Sequence, residues 1–200
     1  MDLSTIIFDI GNVIIRFKPE QDLRHRYTGT ELSFIRKNII LTDTWLNLDK
    51  GLLTNKTAIA EISRRFPSYK NIIKSFLTDC YETFTLIPAT ARVINSLKQR
   101  NYQLLLLSNY HRKGFEEYLL KKDIFSLFDG GIISYKEGII KPDPAIYQLL
   151  IMRYQFDPGK ALFIDDTLEN IAAAQDSGLN CIHLPRANKL EAELKARQIL

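Results

Sequence analysis

Thr5-Ile6-Ile7-Phe8-Asp9 opens the chain with a short apolar strand candidate that ends on a carboxylate, and Gly11-Asn12 follows almost at once. A charge at the carboxyl end of a buried strand is costly unless it is paired or bound to a metal. Asp9 therefore points to a site rather than to a core. An Asp ahead of Gly-Asn is also an ordinary turn residue or helix cap, and this segment alone leaves both readings open.

The rest of the chain supplies the context. Strand-like apolar runs recur at 103–109, 131–134, 161–165 and 180–184, and helical periodicity separates the later ones. Residues 89–100 place Val93, Ile94 and Leu97 on one face. Residues 144–154 do so with Ile146, Leu149 and Leu150, and residues 168–177 carry Ile171, Ala172 and Ala174 and stop at Gly178. Such strand–helix alternation predicts an α/β protein: a Rossmann-like three-layer core whose central, mostly parallel sheet is covered on both faces. The stretch 17–85 differs. It shows helical spacing (Leu32, Ile35, Ile39; Ile59, Ile62, Phe66; Ile72, Ile73, Phe76) and no convincing strand. It is expected to form an all-helical cap inserted into a core made of 1–16 and 86–200.

With 200 residues, 46% of them apolar and 25% charged, the chain has the balance of a globular protein able to bury a core without staples. Cys80 and Cys181 form no paired motif, so a reducing, cytoplasmic setting is expected. The first residues lack a basic start and a long apolar stretch, and no run approaches a membrane span. The net charge of +4 is mild and scattered; Arg64-Arg65 and Lys121-Lys122 read as solvated helix faces rather than a nucleic-acid stripe. Neither nucleic acid nor membrane is expected as a partner, and monomer and dimer are equally compatible with the sequence.

Four polar clusters follow strand candidates or open the next helix: Asp9 with Gly11-Asn12, Ser108-Asn109, Lys141-Pro142 and Asp165-Asp166. Each alone is bland, as a turn, a rigid loop or a helix cap. In an open parallel sheet, however, the carboxyl ends of the strands share one edge, and that edge hosts the ligand crevice. Three carboxylates meeting there repel one another. A Mg²⁺ ion together with Lys141 would neutralise them, and the ion's preference for oxygen ligands and phosphate suits the set. Backbone N–H groups near Gly11-Asn12, the Ser108 hydroxyl and the N–H of Asn109 are candidate phosphate donors.

On Ile6-Ile7-Phe8-Asp9, Leu106-Leu107-Ser108-Asn109, Lys141-Pro142 and Phe163-Ile164-Asp165-Asp166, the chain resembles the haloacid dehalogenase-type superfamily, mostly Mg²⁺-dependent phosphohydrolases, along its whole length. The resemblance implies that Asp9 attacks phosphorus and forms an aspartyl-phosphate, acting on a small phosphorylated metabolite. It implies that Ser108 binds the phosphoryl group and that Lys141 offsets charge. It further implies that Asp9, Asp166 and the backbone carbonyl of Gly11 ligate Mg²⁺, with Asp165 ligating or orienting.

One departure stands out. Most phosphatases of the family carry a second Asp two residues after the nucleophile as general acid and base, where this chain has Gly11. Loss of such a group costs about 10²–10⁴-fold. Three explanations compete: a substrate with a better leaving group, such as a hexose 1-phosphate; a substitute acid from the cap or an ordered water, with His25, Asp22 and Asp43 as candidates; or loss of turnover. Resemblance to Asp-x-Gly-Asn sugar-phosphate phosphatases favours the first two. A 2-haloacid dehalogenase also lacks the second Asp, but typically lacks the paired carboxylates as well. A non-catalytic phosphate-binding or regulatory protein is the remaining alternative. Arg16, Phe17, Lys18 and the turn 45–51 are expected to face the substrate.

Overall fold

In the computed structural model, which describes residues 2–200, the strands are β1 (Thr5–Phe8), β2 (Ile15–Arg16), β3 (Thr85–Leu86), β4 (Gln103–Ser108), β5 (Gly130–Ile133), β6 (Ala161–Asp165) and β7 (Asn180–His183). Five of them form one sheet in the order β5-β4-β1-β6-β7, and every neighbouring pair is parallel. β1 lies at the centre, with Ile6 opposite Leu104 on one side and Leu162 on the other. The chain builds outward from β1 first toward β5 and then toward β7. The strand order therefore reverses beside β1, and the crevice of an open α/β sheet lies at the carboxyl ends at that point.

Burial on both faces explains the continuous apolar runs of β1, β4 and β6. Because side chains alternate across a strand, Ile6 and Phe8 of β1 join Leu104, Leu106, Leu162 and Ile164 in one cluster, packed with Val93, Ile94 and Leu97 of helix Pro88–Gln99. Ile7, Leu105, Leu107 and Phe163 point the other way, onto Ile146, Tyr147 and Leu150 of helix Pro144–Tyr154 and Ile171 and Ala174 of helix Leu168–Asp176. The expected elements thus appear, with ends displaced by a residue or so. Helix Pro88–Gln99 starts one residue early because proline is tolerated at the first helical position, where its missing N–H costs nothing.

Between β2 and β3 the described chain is helical: Pro19–Asp22, Gly29–Ile35, a π-helical turn Arg36–Ile40, Asp43–Asp49, Asn55–Arg65, Pro67–Tyr69, Lys70–Asp79 and Cys80–Thr83. Thr28 and Thr54 close capping boxes and Thr42 caps the Asp43 helix, so these helices start where their side chains satisfy free N–H groups. β2 and β3 pair antiparallel, Ile15 with Leu86 and Arg16 with Thr85, so the chain leaves and re-enters the sheet region side by side. This ribbon is not readable from sequence, since two residues carry no periodicity.

One contact fixes the helical segment over the sheet edge. Gly51 has φ +69°, and a Cβ there would run into the backbone carbonyl of Tyr135. The Ser134 hydroxyl donates to the carbonyl of Asp49. The loop after helix Asp43–Asp49 is thereby seated on the segment that follows β5.

Candidate active site

The three inner strands each deliver a polar residue to the same edge. Asp9 follows β1, Ser108 ends β4, and Asp165 ends β6. Lys141 reaches them from the loop before helix Pro144–Tyr154. Its Nζ donates to Asp9 Oδ1 at 2.8 Å and to Asp165 Oδ2 at 2.6 Å. All three groups are buried, Asp9 at 7% exposure, Lys141 at 3% and Asp165 at 0%. A buried ammonium needs such partners, because an unpaired one is too costly to keep.

Asn109 places the lysine. Its Oδ1 accepts from the Lys141 N–H at 2.8 Å and its Nδ2 donates to the Lys141 carbonyl at 3.0 Å. The side chain thus brackets the Lys141 backbone, and the peptide to Pro142 is cis. Asp165 is saturated by other donors as well: the Thr167 N–H at 2.8 Å, and Asn170 Nδ2 at 3.2 and 3.1 Å to its two oxygens. Asn12, in the left-handed region at φ +53°, donates from Nδ2 to Asp166 Oδ2 at 3.1 Å and accepts from the Phe17 N–H. Asn170 has no signal in the sequence that separates it from any other helical asparagine.

The charge balance is uneven. One carboxylate oxygen from each of Asp9, Asp165 and Asp166 lies within 4.8 Å of the others, and one ammonium faces them. Burial pushes the Asp9 carboxyl up to about 6; Lys141 pulls it down and the Asp165 charge adds to the rise. Asp166 is also raised, by burial and then by Asp165. Burial opposes the Lys141 charge, yet Asp9 and Asp165 hold that ammonium above the ordinary lysine range. Three clustered oxygen donors with surplus negative charge fit a hard divalent cation. The Ser108 hydroxyl, 1% exposed at the end of β4, faces the Asp9 carboxyl but makes no hydrogen bond of good geometry to it. An orphaned buried donor is rare and suits a ligand oxygen.

A cavity of about 120 Å³ opens from this edge, lined by Gly11, Phe17, Trp45, Asp49, Tyr81, Phe84, Asn109, Tyr110 and His111. A Cβ added at Gly11 would meet only Asp9 Oδ2, at 3.7 Å. A Cβ at position 11 would therefore fit without a clash. Of the substitute acids named from sequence, none reaches the cavity. His25 is exposed, Asp22 pairs with Arg16 at 2.7 Å, and exposed Asp43 lines a different groove beside Glu61 and Arg65. Arg16 and Lys18 likewise face a groove with Arg186, next to Asn12 and Asp166, whereas Phe17 and Trp45 do line the cavity. Asp49 belongs to the turn 45–51 expected to face the substrate; Tyr81 and His111 are the polar groups that carried no signal in the sequence, and only tertiary packing unites the three.

A parallel sheet whose central strand delivers an Asp to such a constellation is the architecture of one hydrolase class. The model of the haloacid dehalogenase-like hydrolases matches residues 3–178, and the chain belongs to that family. It is 23% identical to a sesquiterpene phosphatase of Aspergillus oryzae over 97% of this chain and 95% of that one. It is 27% identical to acyl-CoA dehydrogenase family member 10 of Mus musculus over 96% of its own length, but spans only 19% of that larger protein. An (S)-2-haloacid dehalogenase of Pseudomonas putida is 24% identical over 98% of this chain and 87% of its own. In fold, a haloacid dehalogenase family enzyme from Bacteroides thetaiotaomicron solved as a magnesium complex superposes with a TM-score of 0.78 at 19% identity, covering 98% of this chain and 99% of that one. Among the described residues, no helix is long and apolar enough to cross a membrane.

Proposed function

We propose that this hydrolase is a Mg²⁺-dependent phosphatase of a small phosphomonoester, acting through an aspartyl-phosphate on Asp9. The observation that carries this is the cluster of buried Asp9 and Asp165 and half-buried Asp166 against the single Lys141 ammonium. The surplus charge asks for a divalent cation, and a cation there asks for an anionic substrate. Asp9, Asp166 and the carbonyl of Gly11 are the proposed ligands. Asp165, already committed to Lys141, Thr167 and Asn170, orients rather than ligates. Bound there, Mg²⁺ would offset the carboxylates and polarise the phosphoryl oxygens.

The protein groups then divide the work. Lys141 holds Asp9 Oδ1, which leaves Asp9 Oδ2, the oxygen beside the open space at Gly11, as the attacking atom. That oxygen forms a bond to phosphorus as the ester oxygen leaves, and water later cleaves the acyl phosphate. The Ser108 hydroxyl donates to a phosphoryl oxygen. The helical segment 17–85 acts as a cap that excludes water from the cavity. The walls formed by Phe17, Trp45, Tyr81 and Phe84 suit an apolar ring face, and a sugar phosphate such as a hexose 1-phosphate is the proposed substrate.

A panel of sugar phosphates, alkyl phosphates and aryl phosphates assayed with added Mg²⁺, then with EDTA, tests the reading. Phosphate release that disappears with chelator and returns with Mg²⁺ is expected. Metal-independent release of halide from 2-haloacids, with no phosphate release, would instead select the dehalogenase activity carried by some relatives.

A further inference from the structure

The cavity beside Asp9 holds about 120 Å³. That is close to the space one six-membered ring needs, since an apolar cavity of about 150 Å³ takes up benzene. Phe17, Trp45, Tyr81, Phe84 and Tyr110 bring aromatic rings to its wall. Phe17 stacks on Trp45 at 6.1 Å between centroids and meets Phe84 edge-on at 5.1 Å, so the apolar wall is continuous there. Among the described residues, no lysine or arginine lines the cavity, and Asp49 is its one acidic residue. His111 adds no free positive charge. Its Nε2 lies 3.1 Å from Asp49 Oδ1 and its Nδ1 lies 3.0 Å from the Tyr81 hydroxyl, so neither nitrogen is free for a ligand. As an imidazolium the ring would cancel Asp49, and as a neutral imidazole it would leave that carboxylate uncancelled. The wall is net positive in neither state.

The cations nearby are committed or turned elsewhere. Lys141 is held between Asp9 and Asp165. Arg16, Lys18 and Arg186 line the separate groove that Asn12 and Asp166 border. We infer that the cavity selects phosphomonoesters whose leaving group is uncharged and about one ring in size, and rejects those that carry a carboxylate or a second phosphate there. This selectivity rests on the phosphatase reading above and narrows its substrate class. An anionic group entering the cavity would give up water, find no counter-ion among the aromatic walls and face the Asp49 carboxylate. A sugar or a cyclic alcohol brings a C–H face for the rings and no charge. Asp49 is thus a specificity-determining residue, held in place by His111 on one side and by the Ser134 hydroxyl on its carbonyl.

Matched pairs of esters, added to the phosphate-release panel with Mg²⁺ present, test this. Glucose 1-phosphate is set against glucuronic acid 1-phosphate, and 2-hydroxyethyl phosphate against 2-phosphoglycolate. Each pair exchanges a hydroxymethyl group for a carboxylate at one place. The neutral member is expected to be preferred on the order of 10²-fold in kcat/KM, the size of one unbalanced charge contact a few ångströms away at a protein's effective dielectric. The best substrate of the whole panel should likewise carry no second anionic group. Phe17→Lys adds an ammonium to the wall and is expected to narrow the preference about tenfold or more; Phe17→Met is the control that removes the ring without adding charge. Each preference is a ratio measured on one protein, so partial unfolding of a variant cancels, and where a variant does not fold the parent's ratio decides. Equal kcat/KM within a pair, a best substrate with a second anionic group, or the same ratio in Phe17→Lys as in Phe17→Met would overturn the selectivity while leaving the phosphatase reading intact. If no ester of the panel shows metal-dependent phosphate release, the phosphatase reading falls, and this selectivity with it.

Discussion

Asp9→Asn is expected to abolish turnover while making the metal-free protein more stable at neutral pH. An amide cannot form the acyl phosphate, and removing a covalent nucleophile costs on the order of 10⁵-fold or more. Stability moves the other way because the native site binds Asp9 better as the neutral acid. Burial, with the Asp165 charge added, raises its carboxyl from the ordinary 3.8 to about 6 despite Lys141. The contribution of protonated Asp9 is fully present below about pH 3.8 and is lost as pH rises through about 6. A displacement of that size corresponds to about 3 kcal/mol at most. In the Asp9→Asn variant the amide oxygen still accepts from Lys141, and Lys141 keeps Asp165 as its counter-ion. Melting curves of both proteins in EDTA between about pH 4 and pH 8 check this, a window that spans the raised carboxyl. The parent's Tm should fall relative to the variant's as pH rises through that carboxyl's range, and parallel curves would refute the account, as would retained turnover.

Lys141→Met should do the reverse to stability. It leaves Asp9 and Asp165, both buried, facing each other without the ammonium that bridges them. Stranding one partner of a buried ion pair costs about 3–5 kcal/mol, and here two carboxylates lose theirs. Methionine fills most of the volume, so the loss reports charge rather than a void. Urea unfolding in EDTA under mildly alkaline conditions is expected to show that deficit, and acidification should reduce it as the raised Asp9 carboxyl takes up a proton. Turnover should fall with it, because Asp9 Oδ1 loses its anchor. A stability within about 1 kcal/mol of the parent, well short of the cost of a stranded ion-pair partner, would show that Lys141 is not holding the charges together. The two variants thus bracket one claim from opposite sides: this edge holds more negative charge than its own residues balance.

The sheet was readable because its three inner strands repeat one physical rule. Strands 103–108 and 161–165 are buried on both faces, so their sequences are nearly continuous apolar runs, and helix 144–154 announces itself with Asp143-Pro144. Asp9, Ser108, Asp165 and Asp166 were legible for the same reason, as polar residues placed where an apolar run ends. The short β2–β3 ribbon was not, because its pairing joins residues distant in sequence and involves too few of them to show a period. Asn109 was expected to offer its backbone N–H to phosphate, and its side chain has a second role the sequence did not show, as the bracket around Lys141. Asn170 looked like any residue on a helix and is the clamp on Asp165.

By itself, then, the sequence determined the parallel sheet, the family resemblance and the polar clusters at the ends of β1, β4 and β6, since local periodicity and burial write those into the order of residues. The tertiary structure alone brought Tyr81 and His111 to the gap at Gly11, beside Asp49. His25, Asp22 and Asp43 were candidates as titratable residues of the helical segment. Asp49, Tyr81 and His111 come from a helix end, a short 3₁₀ turn and the loop after β4, and no local pattern links them. They meet because Gly51 and Ser134 seat one loop on another, a contact set by the packing of the whole helical segment against the sheet edge.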